Sequence, residues 1–208
     1  MISPMADPAT SGWRSTVSWS AVLFIIGSAC FAIGPFPGFL QLVGAAADAA
    51  VFFAGSLFFT SAAALQYIDS RSGPRGLEWW AAVVQLAGTV FFNISTGAAL
   101  LDNLSTQQED RLIWAPDVFG CVCFLVASGL AWAAERGFIS WINLAGSVAF
   151  GIAGIASYFV PDTGDVLDLA AANFTTVVGA LCFLAGAVGM LVDDRRARIP
   201  ATRVPTRQ

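Results

Sequence analysis

Six stretches of almost unbroken apolar residues divide the chain: Val17–Ile33, Ala49–Tyr67, Trp79–Leu101, Val118–Ala134, Phe138–Val160 and Ala170–Val192. None alternates polar with apolar as the strands of a transmembrane β-barrel do. Each comes close to the run of about 20 apolar residues needed to cross a hydrocarbon layer of about 30 Å. In lipid a spanning segment must satisfy its own backbone, and a helix does so. The pattern therefore predicts an all-α integral membrane protein of six transmembrane helices. The polar stretches between the runs are brief and leave no room for a separate soluble domain. No small-x-small cleavage pattern follows the first run, so that helix is expected to be retained.

Each run contains one Gly-x-x-x-Phe. The pairs are Gly27 and Phe31, Gly55 and Phe59, Gly88 and Phe92, Gly120 and Phe124, Gly146 and Phe150, and Gly179 and Phe183. Chance would give roughly two in a chain of this glycine and phenylalanine content, so one per helix and none elsewhere points to an internal repeat. The residue after each glycine is small: Ser28, Ser56, Thr89, Cys121, Ser147 and Ala180. Trp19, Trp80 and Phe138 stand eight positions before the glycines of the odd runs. The simplest account is a helical hairpin repeated three times, over 17–67, 79–134 and 138–192. Residues 1–16 precede it and an arginine-rich tail, 193–208, follows. The motif is expected to be a packing device: glycine lets a neighbouring helix come near, and phenylalanine one turn on fills the space beside it.

Charge sets the orientation. Charged residues make up 12% of the chain and all ten basic residues are arginine. Arg111 alone falls in a connection on the side away from the termini; the other nine lie on the terminal side. Basic residues collect on the cytoplasmic side, which places both termini inside. Trp19, Trp79, Trp80, Trp132 and Trp141 would sit at the same interface. The outer connections are acidic, with Asp48, Asp102, Glu109, Asp110, Asp117, Asp162, Asp165 and Asp168, most of them expected to be hydrated. The connection from Gly34 to Ala47 is apolar and expected at the interface. The one from Leu101 to Ala115 is the most polar, and Val160-Pro161-Asp162-Thr163-Gly164-Asp165 reads as a turn.

Little in the chain suggests a reaction. It has no histidine, the commonest metal ligand and proton relay. Cys30, Cys121, Cys123 and Cys182 all lie within apolar runs and read as small packing residues. No serine has a base to activate it, and there is no phosphate-binding loop. No catalytic residue, metal ligand or cofactor is expected. The polar residues within the runs are amides and hydroxyls. Gln85 and Asn143 occupy matching positions three residues before their glycines, and Asn93 lies near mid-helix. These three either hydrogen-bond across helices or line a cavity for a polar solute. A continuous polar cavity reaching Asn93 would favour a transporter; a centre filled by phenylalanine would favour a packing bundle.

The first hairpin carries Ile26-Gly27-Ser28-Ala29-Cys30-Phe31, then Pro37, then Phe52-Phe53-Ala54-Gly55-Ser56-Leu57-Phe58-Phe59. The last carries Ala145-Gly146-Ser147-Val148-Ala149-Phe150, Pro161 and Gly179-Ala180-Leu181-Cys182-Phe183. Both resemble a YrhK-type membrane domain. The middle hairpin departs from the pattern, with Thr89 and Cys121 in place of serine and a longer, more polar connection. The resemblance implies helical hairpins in a bacterial inner (plasma) membrane, and implies no activity, cofactor or catalytic residue. The expected role is a structural or accessory bundle. Its partners would be bilayer lipid, and a membrane protein or a second copy of the chain, but not nucleic acid. The alternative is a small transporter or channel for a polar solute or cation.

Overall fold

The apolar runs coil into helices that close their own backbone hydrogen bonds. The computed structural model describes residues 16–197. Its elements are α1 (Thr16–Ile33), α2 (Phe39–Val43), α3 (Ala45–Ser70), α4 (Leu77–Ala98), α5 (Thr106–Glu109), a π-helical turn (Asp110–Trp114), α6 (Ala115–Ala134), α7 (Phe138–Ala156) and α8 (Leu169–Ala197). The segment from α5 through the π turn to α6 runs on as one rod. With α1, α3, α4, α7 and α8 it makes six helices long and apolar enough to cross a membrane.

The helix ends differ from the sequence expectation, α3 for instance spanning Ala45–Ser70 rather than Ala49–Tyr67. α7 stops at Ala156 rather than Val160. Pro161 disfavours helix in the residue before it, and the chain instead forms an isolated antiparallel bridge between Phe159 and Val166. Gly164, at φ +72°, turns this loop. α4 ends at Ala98, before the exposed Leu100 and Leu101. The polar connection after it is partly helical: Ser105 and Gln108 cap α5 reciprocally, and the π turn follows. α8 continues to Ala197, so the start of the expected tail is helix. Residues 1–15 and the rest of that tail lie outside the described residues.

The six long helices close into a ring in the order α1, α3, α4, α6, α7, α8 and back to α1. Three antiparallel pairs build it: α1 with α3, α4 with α6, and α7 with α8. Glycine faces glycine across each pair. A Cβ built on Gly27 would lie 3.0 Å from the Gly55 carbonyl oxygen, one on Gly88 3.2 Å from that of Gly120, and one on Gly146 3.1 Å from that of Gly179. Beside these contacts a cysteine packs its Cβ on the partner glycine: Cys30 on Gly55, Cys123 on Gly88 and Cys182 on Gly146. All four cysteines are free thiols.

One turn beyond the glycines, the six phenylalanines meet on the ring axis. Phe31, Phe92 and Phe150, from the first helix of each pair, form a triangle with centroids 6.3, 6.2 and 6.0 Å apart. Phe59, Phe124 and Phe183, from the second helices, form another at 6.2, 5.7 and 6.1 Å. Contacts of 5.6, 4.9 and 5.5 Å within the pairs join the triangles. Such aromatic pairs contribute about 0.5–1.5 kcal/mol each beyond the area they cover.

Between the pairs, hydroxyls, a thiol and an amide make the contacts. On the α3–α4 seam Ser56 Oγ lies 2.9 Å from Thr96 Oγ1, and Asn93 Nδ2 donates to Thr60 Oγ1 at 2.8 Å. On the α6–α7 seam Ser128 and Ser147 pair at 2.7 Å, the Cys121 thiol donates to the Phe150 carbonyl, and Trp114 Nε1 donates to the Gly154 carbonyl at 2.8 Å. At the end of the ring nearest the described termini, Arg71, Arg75 and Arg136 lie over Tyr67, Trp79 and Trp132. At the other end α2 and the turn before it expose Phe36, Leu40, Leu42 and Val43.

Two glycines of α7 separate packing from propensity. A Cβ on Gly146 would sit 2.9 Å from Cys182 Cβ and 3.1 Å from a backbone oxygen, whereas one on Gly151 meets nothing within 4 Å. Gly146→Ala should cost about 1–3 kcal/mol through overpacking. Gly151→Ala should be neutral or stabilising by up to about 1 kcal/mol. Unfolding in detergent mixtures followed by circular dichroism measures both; equal effects would contradict the glycine contact.

Candidate functional site

Pairing the helices through glycine leaves space on the axis at the terminal end. A vestibule of about 910 Å³ opens there and narrows inward to a chamber of about 50 Å³. The second triangle of phenylalanines, Phe59, Phe124 and Phe183, closes the chamber. Between the two triangles only about 10 Å³ remains. A water needs about 10–15 Å³ and two or more polar partners, so the aromatic layer is dry.

Helical periodicity decides which side chains reach this space. Gln85, Gly88 and Phe92 lie at i, i+3 and i+7 along one stripe of α4, and Asn143, Gly146 and Phe150 repeat the spacing on α7. Gln66 stands seven residues after Phe59 on α3. Each pair of long helices thus brings one amide to the chamber: Gln66, Gln85 and Asn143. Gln85 Nε2 donates to Gln66 Oε1 at 3.0 Å, and Gln66 Nε2 lies 3.9 Å from Met190 Sδ. Asn143 occupies a slot opened by Gly186, where any side chain would displace its carboxamide. Among the described residues the Asn143 amide makes no hydrogen bond, leaving it free for what enters the chamber.

Of the three candidate cavity residues, Gln85 and Asn143 line the cavity and Asn93 does not. Asn93 is one residue past Phe92, about 100° around the helix, which aims it at α3 and Thr60. Its Oδ1 is buried without a partner. Asn93 thus takes the cross-helix alternative, and no polar cavity reaches it among the described residues. Gln66 was not among the expected cavity residues; its seven-residue offset from the motif phenylalanine is the signal that would have placed it there.

Among the described residues, the mouth of the vestibule is lined by Asp69, Glu78, Glu135 and Asp193 and by one arginine, Arg196. Three of these carboxylates stand near the terminal ends of the second helices of the three pairs, 14, 15 and 14 residues after Gly55, Gly120 and Gly179. The terminal end is rich in arginine, but Arg71, Arg75 and Arg136 rest on aromatic rings.

The opposite end holds eight acidic residues. Asp102, Asp162, Asp165 and Asp168 are exposed; Glu109 is half-buried, as is Asp117 near Gly154, and the half-buried Asp48 and Asp110 each keep one buried oxygen without a partner. Hydration was expected of most of these groups; Asp48, Asp110 and Asp117 are the ones with a buried oxygen or a packed carboxylate. Among the described residues no three cysteine or acidic side chains converge as a metal-binding group. No protein-family model, curated protein or solved structure matches this chain.

The placement can be read chemically. In a background with the four native cysteines replaced, Asn143→Cys should react with a membrane-impermeant, positively charged thiol reagent added from the terminal side. Asn93→Cys should stay unreacted under the same exposure. Equal labelling of both, scored by mass shift, would contradict the separation of seam from chamber.

Proposed function

We propose that this chain is a non-enzymatic accessory bundle of a bacterial plasma membrane, built from three copies of a YrhK-like hairpin and oriented with both termini in the cytoplasm. The dry aromatic layer carries the reading. With six phenylalanines on the axis, no polar path joins the vestibule to the far end of the ring. The residues that recur once per helix are those that packing requires. The equivalent positions of glycine and phenylalanine in the three pairs, and of Gln85 and Asn143 in two of them, support a common hairpin ancestor. Nine of the ten arginines on the terminal side support the orientation. The three arginines stacked on aromatic rings suit anchoring at a phosphate-rich interface. Exposed apolar faces such as those of Phe119, Phe174 and Ile155 offer lipid or a membrane partner a surface.

A second reading, a small channel or carrier for a polar solute or cation, draws on the vestibule and its acidic mouth. It requires the aromatic layer to part, since hydrophobic constrictions hold pores shut by excluding water.

Two measurements test these proposals. Proteoliposomes containing the protein should hold a potassium or choline gradient as long as empty liposomes do. Replacing Phe59, Phe124 and Phe183 together with alanine should raise leakage at least about tenfold by removing the dry layer. Uptake of a defined solute by the unaltered protein would replace the accessory reading with the transporter. Independently, a reporter fused after Gln208 should be active only when it is a cytoplasmic reporter; periplasmic activity would reverse the orientation.

A further inference from the structure

We propose that the vestibule is a binding site for organic ammonium ions, taking a primary ammonium head into the inner chamber with its carbon chain trailing toward the mouth. This assignment goes beyond the accessory reading and holds whether or not the aromatic layer ever opens. It rests on the cavity. The chamber, at about 50 Å³, exceeds the space of one water-sized group and accommodates an –NH₃⁺ head with its first methylene. Such a head has three donors and no acceptor. The chamber offers three carboxamide oxygens, one from each helix pair: Gln66, Gln85 and Asn143. The Gln66 oxygen already accepts one bond from Gln85 and has a second lone pair; the Asn143 amide is unengaged.

The remaining surroundings suit the same chemistry. Phe24, Phe59, Phe124 and Phe183 line the chamber, and aromatic faces attract cations. Ala131, Ala187 and Met190 give a short alkyl chain an apolar wall. Farther out, among the described residues, four carboxylates and one guanidinium line the mouth, a balance that attracts cations. A carboxylate ligand would meet that charge first, and a neutral alcohol would use neither the charge nor the full set of acceptors.

The experiment is calorimetric titration of the full-length protein in an uncharged detergent with n-butylammonium, butyrate and 1-butanol. Saturable binding is expected for n-butylammonium and for neither of the others. Tetrabutylammonium should fail to compete, because its head is too large for the chamber. Asn143→Leu and Gln85→Leu should each weaken n-butylammonium binding by at least about tenfold, the loss expected when a hydrogen bond to a charged group is removed. Asn93→Leu, on the seam outside the cavity, should leave the affinity unchanged. The triple change Asp69→Asn, Glu135→Gln, Asp193→Asn should weaken binding at low salt, with the difference shrinking as salt screens the mouth. Circular dichroism and melting temperature establish that each variant is folded. The head-size series on the unaltered protein decides the matter should Asn143→Leu fail to fold. Absent saturable ammonium binding, equal affinity for butanol, competition by tetrabutylammonium, or full affinity in both amide variants would each overturn the proposal.

Discussion

The ring depends on the approach of two backbones at glycine. Among helices surrounded by lipid there is little hydrophobic gain in bringing one apolar face against another, because the tails are as apolar as leucine. What remains is contact at short range, which falls away steeply with distance. Gly146 and Gly179 allow the backbones of α7 and α8 to approach until a methyl group on either would meet the other's carbonyl oxygen. The same contact recurs in α1 with α3 and in α4 with α6. Each brings the helices close enough for the next turn to matter.

At that next turn the phenylalanines have only one place to go. In an antiparallel pair each phenylalanine lies beside the partner's glycine, as Phe31 does at Gly55 and Phe59 at Gly27. Three such pairs around an axis generate two stacked triangles of rings. Filling the centre in this way leaves the terminal half of the axis less full, because there the stripes carry Gln66, Gln85, Asn143, Ala131 and Ala187. The vestibule follows from the same periodicity as the seal. Amides there are also less costly than in a dry seam, since the cavity connects with the mouth.

The motif was legible in the sequence because it repeats at one-turn spacing, and a spacing of one turn has a direct meaning on a helix. The six helices were legible for a similar reason: a run of apolar residues leaves few options in lipid. Helix ends were less so. Val160 belongs to an apolar run, yet Pro161 and the Phe159–Val166 bridge draw it into a loop. Hydropathy records what a residue prefers to touch, not where the backbone turns. The amides show the other limit. Gln85, Asn93 and Asn143 are alike in character and all lie in apolar runs. Rotation about the helix distinguishes them: Gln85, seven residues before Phe92, keeps its face, whereas Asn93, one residue past Phe92, is turned about 100° toward Thr60.

The three seams between the pairs are not equivalent, and the difference follows from single side chains. α3 offers Ser56 one residue after its glycine, and α6 offers Ser128 eight residues after its own; each meets a hydroxyl on the neighbouring pair. At the corresponding positions α8 carries Ala180 and Ala187. Ser28 of α1, the counterpart of Thr89 and Ser147, is buried with its hydroxyl unpartnered. The α3–α4 and α6–α7 seams are also tethered by short connections, whereas α1 and α8 are the two ends of the ring. Ser18 donates to Asp194 at the terminal rim of that seam. In its middle, close packing of small residues holds the ring closed where hydroxyl pairs do so elsewhere. The polar zipper and the covalent tether are thus weakest at the same joint.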